Sequence, residues 1–166
     1  MSVNIALLTV TDTRTLETDK SGNILVEKIK KANHNLTERK ICKDNKDDIK
    51  NILKEWTSKK NLDVIITTGG TGLTGRDITP EALDEIADKH IPGFGEIFRY
   101  FSLETVGTSS IQSRACAVLS NGKYIFALPG SSGGVTDAWD KILIHQLDVN
   151  HKPCNFVELF PRLKEK

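Results

Sequence analysis

Short runs of strand-forming residues alternate along this chain with amphipathic stripes of helical period, and that alternation restricts the fold more than any other feature of the sequence. Residues 4–10 (NIALLTV) and 64–68 (VIITT) are almost wholly apolar or β-branched, the pattern of strands covered on both faces, and 124–128 (YIFAL) repeats it as the last core strand. Residues 36–42 (LTERKIC) are more polar and suit a strand at a sheet edge. Between these runs, Leu25, Ile29 and Ala32 share one helical face, and Ile49, Ile52, Leu53 and Trp56 fall at i, i+3, i+4, i+7 within 47–59. Thr79-Pro80 opens a further helix, since Thr caps free N–H groups and Pro at the first helical position gives up no bond; it is expected to run to about His90. Phe94, Ile97, Phe98 and Phe101 form the next stripe. Ile111, Ala115, Val118 and Leu119 predict another helix, and Val135, Ala138, Trp139, Ile142, Leu143 and Leu147 the last. The tail from Asp148 has no period and is expected to dock on the body or on a neighbour. Strands joined through helices pair in parallel by right-handed crossovers, so the expectation is an α/β chain, a three-layer αβα sandwich on a mostly parallel sheet, forming a single domain over residues 1–166.

Charge narrows the function. With 23 basic and 22 acidic side chains the net charge is +1, which argues against nucleic acid as a partner, because affinity for a polyanion needs many cations acting together. Any bound anion must be held locally. Residues 61–150 lean acidic and the flanking segments lean basic. Cys42, Cys116 and Cys154 are too far apart for a zinc site or a disulfide framework, and His34, His90, His145 and His151 form no i, i+4 pair. No apolar run approaches the length of a membrane span and MSVNIALLTV passes directly into a strand pattern, so no membrane partner and a cytoplasmic location are expected.

In open α/β sheets ligands sit beyond the carboxyl ends of the strands, which directs attention to four loops. The third strand runs into Gly69-Gly70-Thr71-Gly72-Leu73-Thr74-Gly75-Arg76-Asp77. Its glycines let backbone N–H groups approach an anion, and Thr71 and Thr74 add hydroxyl donors; a plain glycine-rich turn without ligand is the alternative. Gly70-x-Gly72-x-x-Gly75 has the dinucleotide spacing, but the next helix starts only near Thr79, and Arg76-Asp77 replaces the Lys-Ser/Thr pair of a P-loop. Asp77 beside a phosphate nest would repel the ligand unless a divalent cation lay between them, so the loop predicts a metal. A second small-residue loop, Pro129-Gly130-Ser131-Ser132-Gly133-Gly134, leads into the last helix. Asp12 and Asp44 follow the first and second strands as turn residues or as site acids, and no covalent nucleophile is indicated.

These residues carry a resemblance. Ile66-Thr67-Thr68-Gly69-Gly70-Thr71-Gly72 and Arg76-Asp77-Ile78-Thr79-Pro80-Glu81-Ala82, with Leu8-Thr9-Val10-Thr11-Asp12, Pro92-Gly93-Phe94-Gly95-Glu96, Ser113-Arg114-Ala115 and Pro129-Gly130-Ser131, resemble the MoaB/Mog family of molybdenum cofactor biosynthesis. Gly107-Thr108-Ser109 and Lys152-Pro153-Cys154-Asn155-Phe156 are similar to its MoaB branch. The resemblance implies a homotrimer or hexamer that binds molybdopterin. It also implies adenylylation of that pterin with ATP and Mg2+, before a separate molybdate-inserting protein acts; the alternative is a non-catalytic molybdopterin carrier. It assigns catalysis and metal binding to Asp77 and Asp44. Substrate contacts fall to Gly69, Gly70, Thr71, Gly72, Asp12, Ser113, Pro129, Gly130 and Ser131.

Overall fold

Three strands carry the most apolar side chains of the chain and lie side by side at the centre of the sheet. They are β1 (Asn4–Val10), β3 (Val64–Thr68) and β6 (Lys123–Leu128), paired in parallel as β1 with β3 and β3 with β6. The structure is a computed structural model and describes residues 1–165. The full order is β2-β1-β3-β6-β5-β4, with β2 (Asn35–Cys42) parallel to β1 at one edge, as its polar sequence implied. At the other edge β5 (Cys116–Ser120) and β4 (Lys89–His90) run antiparallel.

Helices cover both faces. Side chains at alternate strand positions point to opposite sides, so Ile5, Leu7, Ile66 and Phe126 enter one core while Ala6, Leu8, Ile65 and Ile125 enter the other. The first core is closed by α1 (Lys20–Lys31), α4 (Pro92–Val106) and α5 (Ser132–Ala138), through Leu25 and Ile29, Phe94 and Phe98, and Val135. The helix of α5 continues through a π turn at Trp139–Leu143 to Gln146. The second core is closed by α2 (Lys46–Thr57) and α3 (Thr79–Asp84), through Ile49, Leu53, Trp56, Ala82 and Leu83. The tail lies on the first core: Val157 is buried there, and Phe156 and Phe160 pack beside Tyr124.

Two expectations are corrected. Residues 111–119 are not a helix: Gly107–Gln112 is a 3-10 segment, Ile111 is 80 % exposed, and Val118 and Leu119 face opposite cores, as neighbours in a strand must. The signal was Asn121-Gly122, whose φ values of 48° and 71° make the tight turn that folds β5 back on β6. The helix from Thr79 stops at Asp84 rather than near His90. The following residues instead donate from Asp88 N to Leu119 O and from Ile91 N to Ala117 O, satisfying the outer side of β5.

The connection from β1 leaves toward β2 on one face, whereas that from β2 returns to β3 on the other. Between β1 and β3 the loops therefore diverge and leave a crevice at the carboxyl edge, where the candidate site lies.

Candidate functional site

The turn after β3 has a shape that only glycine permits at its start. Gly69 has φ +103° and Gly70 φ +68°, and a Cβ on Gly69 would stand 2.2 Å from the Val10 carbonyl oxygen. A Cβ on Gly70 would meet Thr79 Oγ1 at 2.4 Å. The Thr79 hydroxyl donates to Gly69 O (2.9 Å) and its N–H to Gly70 O (3.0 Å), so the start of α3 fixes the turn from below. The loop after β6 is seated against it: Thr68 Oγ1 donates to Pro129 O (2.8 Å), and a Cβ on Gly130 would come within 3.3 Å of Gly69 Cα. Arg114 secures the far end of the turn. Its guanidinium donates to Gly72 O (2.7 Å) and Asp77 O (2.8 Å), and pairs with Glu81.

Three carboxylates converge on this turn from three elements, and their surroundings differ. Asp77 Oδ2 accepts from Thr74 N (2.9 Å) and Thr74 Oγ1 (2.7 Å). Burial works upward on its pKa, yet these bonds and that from Gly72 N–H hold it below the ordinary carboxylate value. Asp12 is held low by the Arg76 guanidinium, which donates to its Oδ2 through Nε (3.1 Å) and NH2 (2.7 Å); its Oδ1 accepts from Asp44 N (3.2 Å). Asp44 goes the other way. Burial raises its pKa, and the neighbouring charges of Asp12 and Asp77 raise it further. It is the carboxylate with most to gain from a cation.

A cleft of about 1050 Å³ opens over these groups, roomy even for an extended ligand. Its walls include Gly69, Gly70, Thr71, Gly72, Asp44, Asp77, Ser113, Pro129, Gly130 and Ser131. Asp12 lies beside the cleft, bound to Arg76, rather than in its wall. Sequence reasoning missed the opposite wall, formed by Phe98, Ser102, Thr105 and Val106 of α4 and by Ser109, Ser110 and Gln112 beyond it. Hydroxyl groups on a helix flank read as solvated surface until the partner wall is known.

Among the described residues, no group of three or more His, Cys, Asp or Glu is placed to hold a metal by itself. The donor set of Asp44 and Asp77 fits a magnesium ion completed by ligand phosphates, since that ion commonly takes one or two carboxylates and leaves its other positions to water and phosphate oxygen. Asp44 Oδ1 and Asp77 Oδ2 lie close to the turn, 3.3 Å and 2.7 Å from where the Cβ atoms of Gly70 and Gly72 would stand.

The raised pKa of Asp44 has a consequence for stability. Its ionisation is harder in the folded chain than in the unfolded one, so the charge destabilises the fold at neutral pH and ceases to do so as pH falls through the raised value. Asp44→Asn is expected to raise the thermal midpoint at neutral pH, with the gain vanishing toward about pH 4. Calorimetry across that range checks both the sign and the direction of the trend.

The sequence matches, over residues 6–149, the family described as probable molybdopterin binding domain. It is 42 % identical over 161 residues to Molybdenum cofactor biosynthesis protein B of Escherichia coli K12, covering 97 % of this chain and 93 % of that protein. A crystal structure of a Molybdenum cofactor biosynthesis protein B superposes with a TM-score of 0.89 at 40 % identity, covering 100 % of this chain and 98 % of the other. A tungsten cofactor synthesizing protein MoaB from Pyrococcus furiosus superposes at 0.76 with 34 % identity, covering 86 % and 91 %.

Proposed function

The chain belongs to the molybdopterin-binding family of molybdenum cofactor biosynthesis proteins, and from that premise we propose that it adenylylates molybdopterin with Mg-ATP. The observation that carries this reading is that Asp77 and Asp44 both stand close against the Gly69–Gly72 turn and line one cleft with it. The turn would hold the terminal phosphate of the pterin through backbone N–H groups and the Thr71 hydroxyl. Asp77 and Asp44 would hold Mg2+, which when bound supplies positive charge to the triphosphate. A phosphate oxygen of the pterin forms a bond to the α-phosphorus of ATP, the bond from that phosphorus to the bridging oxygen breaks, and pyrophosphate leaves with the electron pair. Catalysis is then positioning and charge neutralisation, with no covalent bond to the protein.

Thr74 fixes Asp77 and Arg114 fixes the loop that carries it, so this acid does not have to be ordered when the ligands arrive. Ser113, Pro129, Gly130 and Ser131 would line the path of the substrate, and Asp12 would act on the site through Arg76. The exposed apolar side chains Tyr100 and Ile111, outside the cleft, suit assembly into a homotrimer or hexamer. The product would pass to a molybdate-inserting protein, or to its tungstate counterpart. No helix among the described residues is long and apolar enough to cross a membrane.

The test is direct. Purified protein incubated with molybdopterin and Mg-ATP is expected to release one pyrophosphate for each adenylylated pterin. Pterin binding without pyrophosphate would replace the enzyme with a non-catalytic carrier.

A further inference from the structure

The two ends of the cleft differ in chemistry. Among the described residues that line it, the charged ones are Arg14, Asp44, Asp77 and Asp137, and the first three stand with the loops after β1, β2 and β3. Asp137 stands apart, on α5, facing a wall of neutral groups from α4. Its side chain is only 13 % exposed, yet Oδ2 accepts one hydrogen bond, from Thr105 Oγ1 at 2.9 Å, and Oδ1 has the Lys141 ammonium at 3.6 Å, which also binds Glu104 at 2.7 Å. A carboxylate offers about four acceptor positions, so this one keeps unfilled capacity on a wall of the cleft. A phosphate would be repelled there. Val106, more than half exposed, supplies apolar surface for a flat ring in the same part of the cleft.

Resting on the reading that the cleft takes molybdopterin, we infer that Asp137 recognises the 2-amino-4-oxo edge of the pterin ring, with the phosphate tail directed toward Gly69–Gly72. That edge presents the 2-amino group and the adjacent ring N–H as two neighbouring donors, matched by the two oxygens of a carboxylate. Adenine presents a donor beside an acceptor and leaves one oxygen facing a lone pair. The carboxylate thus sorts the two substrates, sending the pterin to the α4–α5 end and leaving ATP with the acids near β2 and β3. Thr105 is a positioning residue: its hydroxyl aims Asp137 without touching the ring.

Fluorescence titration with 6-hydroxymethylpterin and with 6-hydroxymethyllumazine, which carries a carbonyl in place of the 2-amino group, tests this. The parent protein is expected to prefer the pterin by at least about tenfold, because a buried acceptor left facing a carbonyl costs a full hydrogen bond. Asp137→Asn is expected to lose most of that preference and Thr105→Val part of it; the second variant carries the test should the first fail to fold. Equal affinity for both rings in the parent, or an undiminished preference in Asp137→Asn, would overturn the inference and leave the molybdopterin reading standing. Tighter binding of guanosine than of the pterin would reassign the subsite to a guanine nucleotide. If neither the pterin nor the lumazine binds and no pyrophosphate is released from molybdopterin and Mg-ATP, both readings are overturned.

Discussion

Replacing Asp77 with Asn is expected to slow pyrophosphate release from molybdopterin and Mg-ATP by at least about a hundredfold, the scale of losing a group that stabilises charge in the transition state. The fold should survive the change. Asn retains an oxygen that can accept from Thr74 N and Thr74 Oγ1, the two bonds that shape this corner, and Arg114 holds the backbone at Asp77 O without using the side chain. The thermal midpoint should therefore stay within about 3 °C of the parent. Single-turnover kinetics at saturating Mg2+, paired with a melting curve, separates loss of chemistry from loss of structure. A variant that turns over at the parental rate removes Asp77 from the mechanism.

Gly69→Ala should do the reverse, damaging the fold first and the site with it. At φ +103° an L residue is strained wherever it sits, and here the new methyl would lie 2.2 Å from the carbonyl oxygen of Val10, a backbone atom of the central strand β1. Neither side can yield cheaply. A destabilisation of about 3 kcal/mol or more is expected, about 10 °C for a chain of this size. Gly133→Ala is the control: a Cβ there meets nothing within 4 Å, and its backbone angle is not one that disfavours side chains. Chemical denaturation of the pair checks the argument, and equal stabilities would show that the turn relaxes in a way its packing denies.

The parts of the fold that could be read from the sequence were those whose pattern has one physical meaning. A short run of apolar and β-branched residues such as VIITT suits a strand sealed between two layers, and the stripe of Ile49, Leu53 and Trp56, set within thirteen residues free of Gly and Pro, suits a helix with one face inward. Ala115, Val118 and Leu119 were ambiguous because a strand covered on both faces also places apolar residues three and four apart. Asn121-Gly122 resolves that ambiguity, since it dictates a return turn of two residues. The Phe94, Phe98 and Phe101 stripe correctly marked an inward face, but Ile97 within it is 43 % exposed. Turn chemistry made the glycine loop legible, because φ values of that sign demand glycine. The α4 wall was not legible: Ser102 and Thr105 gain meaning only from Asp137, more than thirty positions later, brought near by the sheet.

The receptacle draws its walls from segments scattered from Thr9 to Asp137, and the glycine turn rests on a carbonyl of β1 on one side and on the loop leaving β6 on the other. No stretch of the chain shorter than most of its length can therefore recognise the ligand. An occupied pocket braces the three central strands at once, so substrate should protect amides throughout the sheet from exchange rather than only those it touches. A molecule with any one of those strands locally melted would be silent instead of binding loosely or indiscriminately.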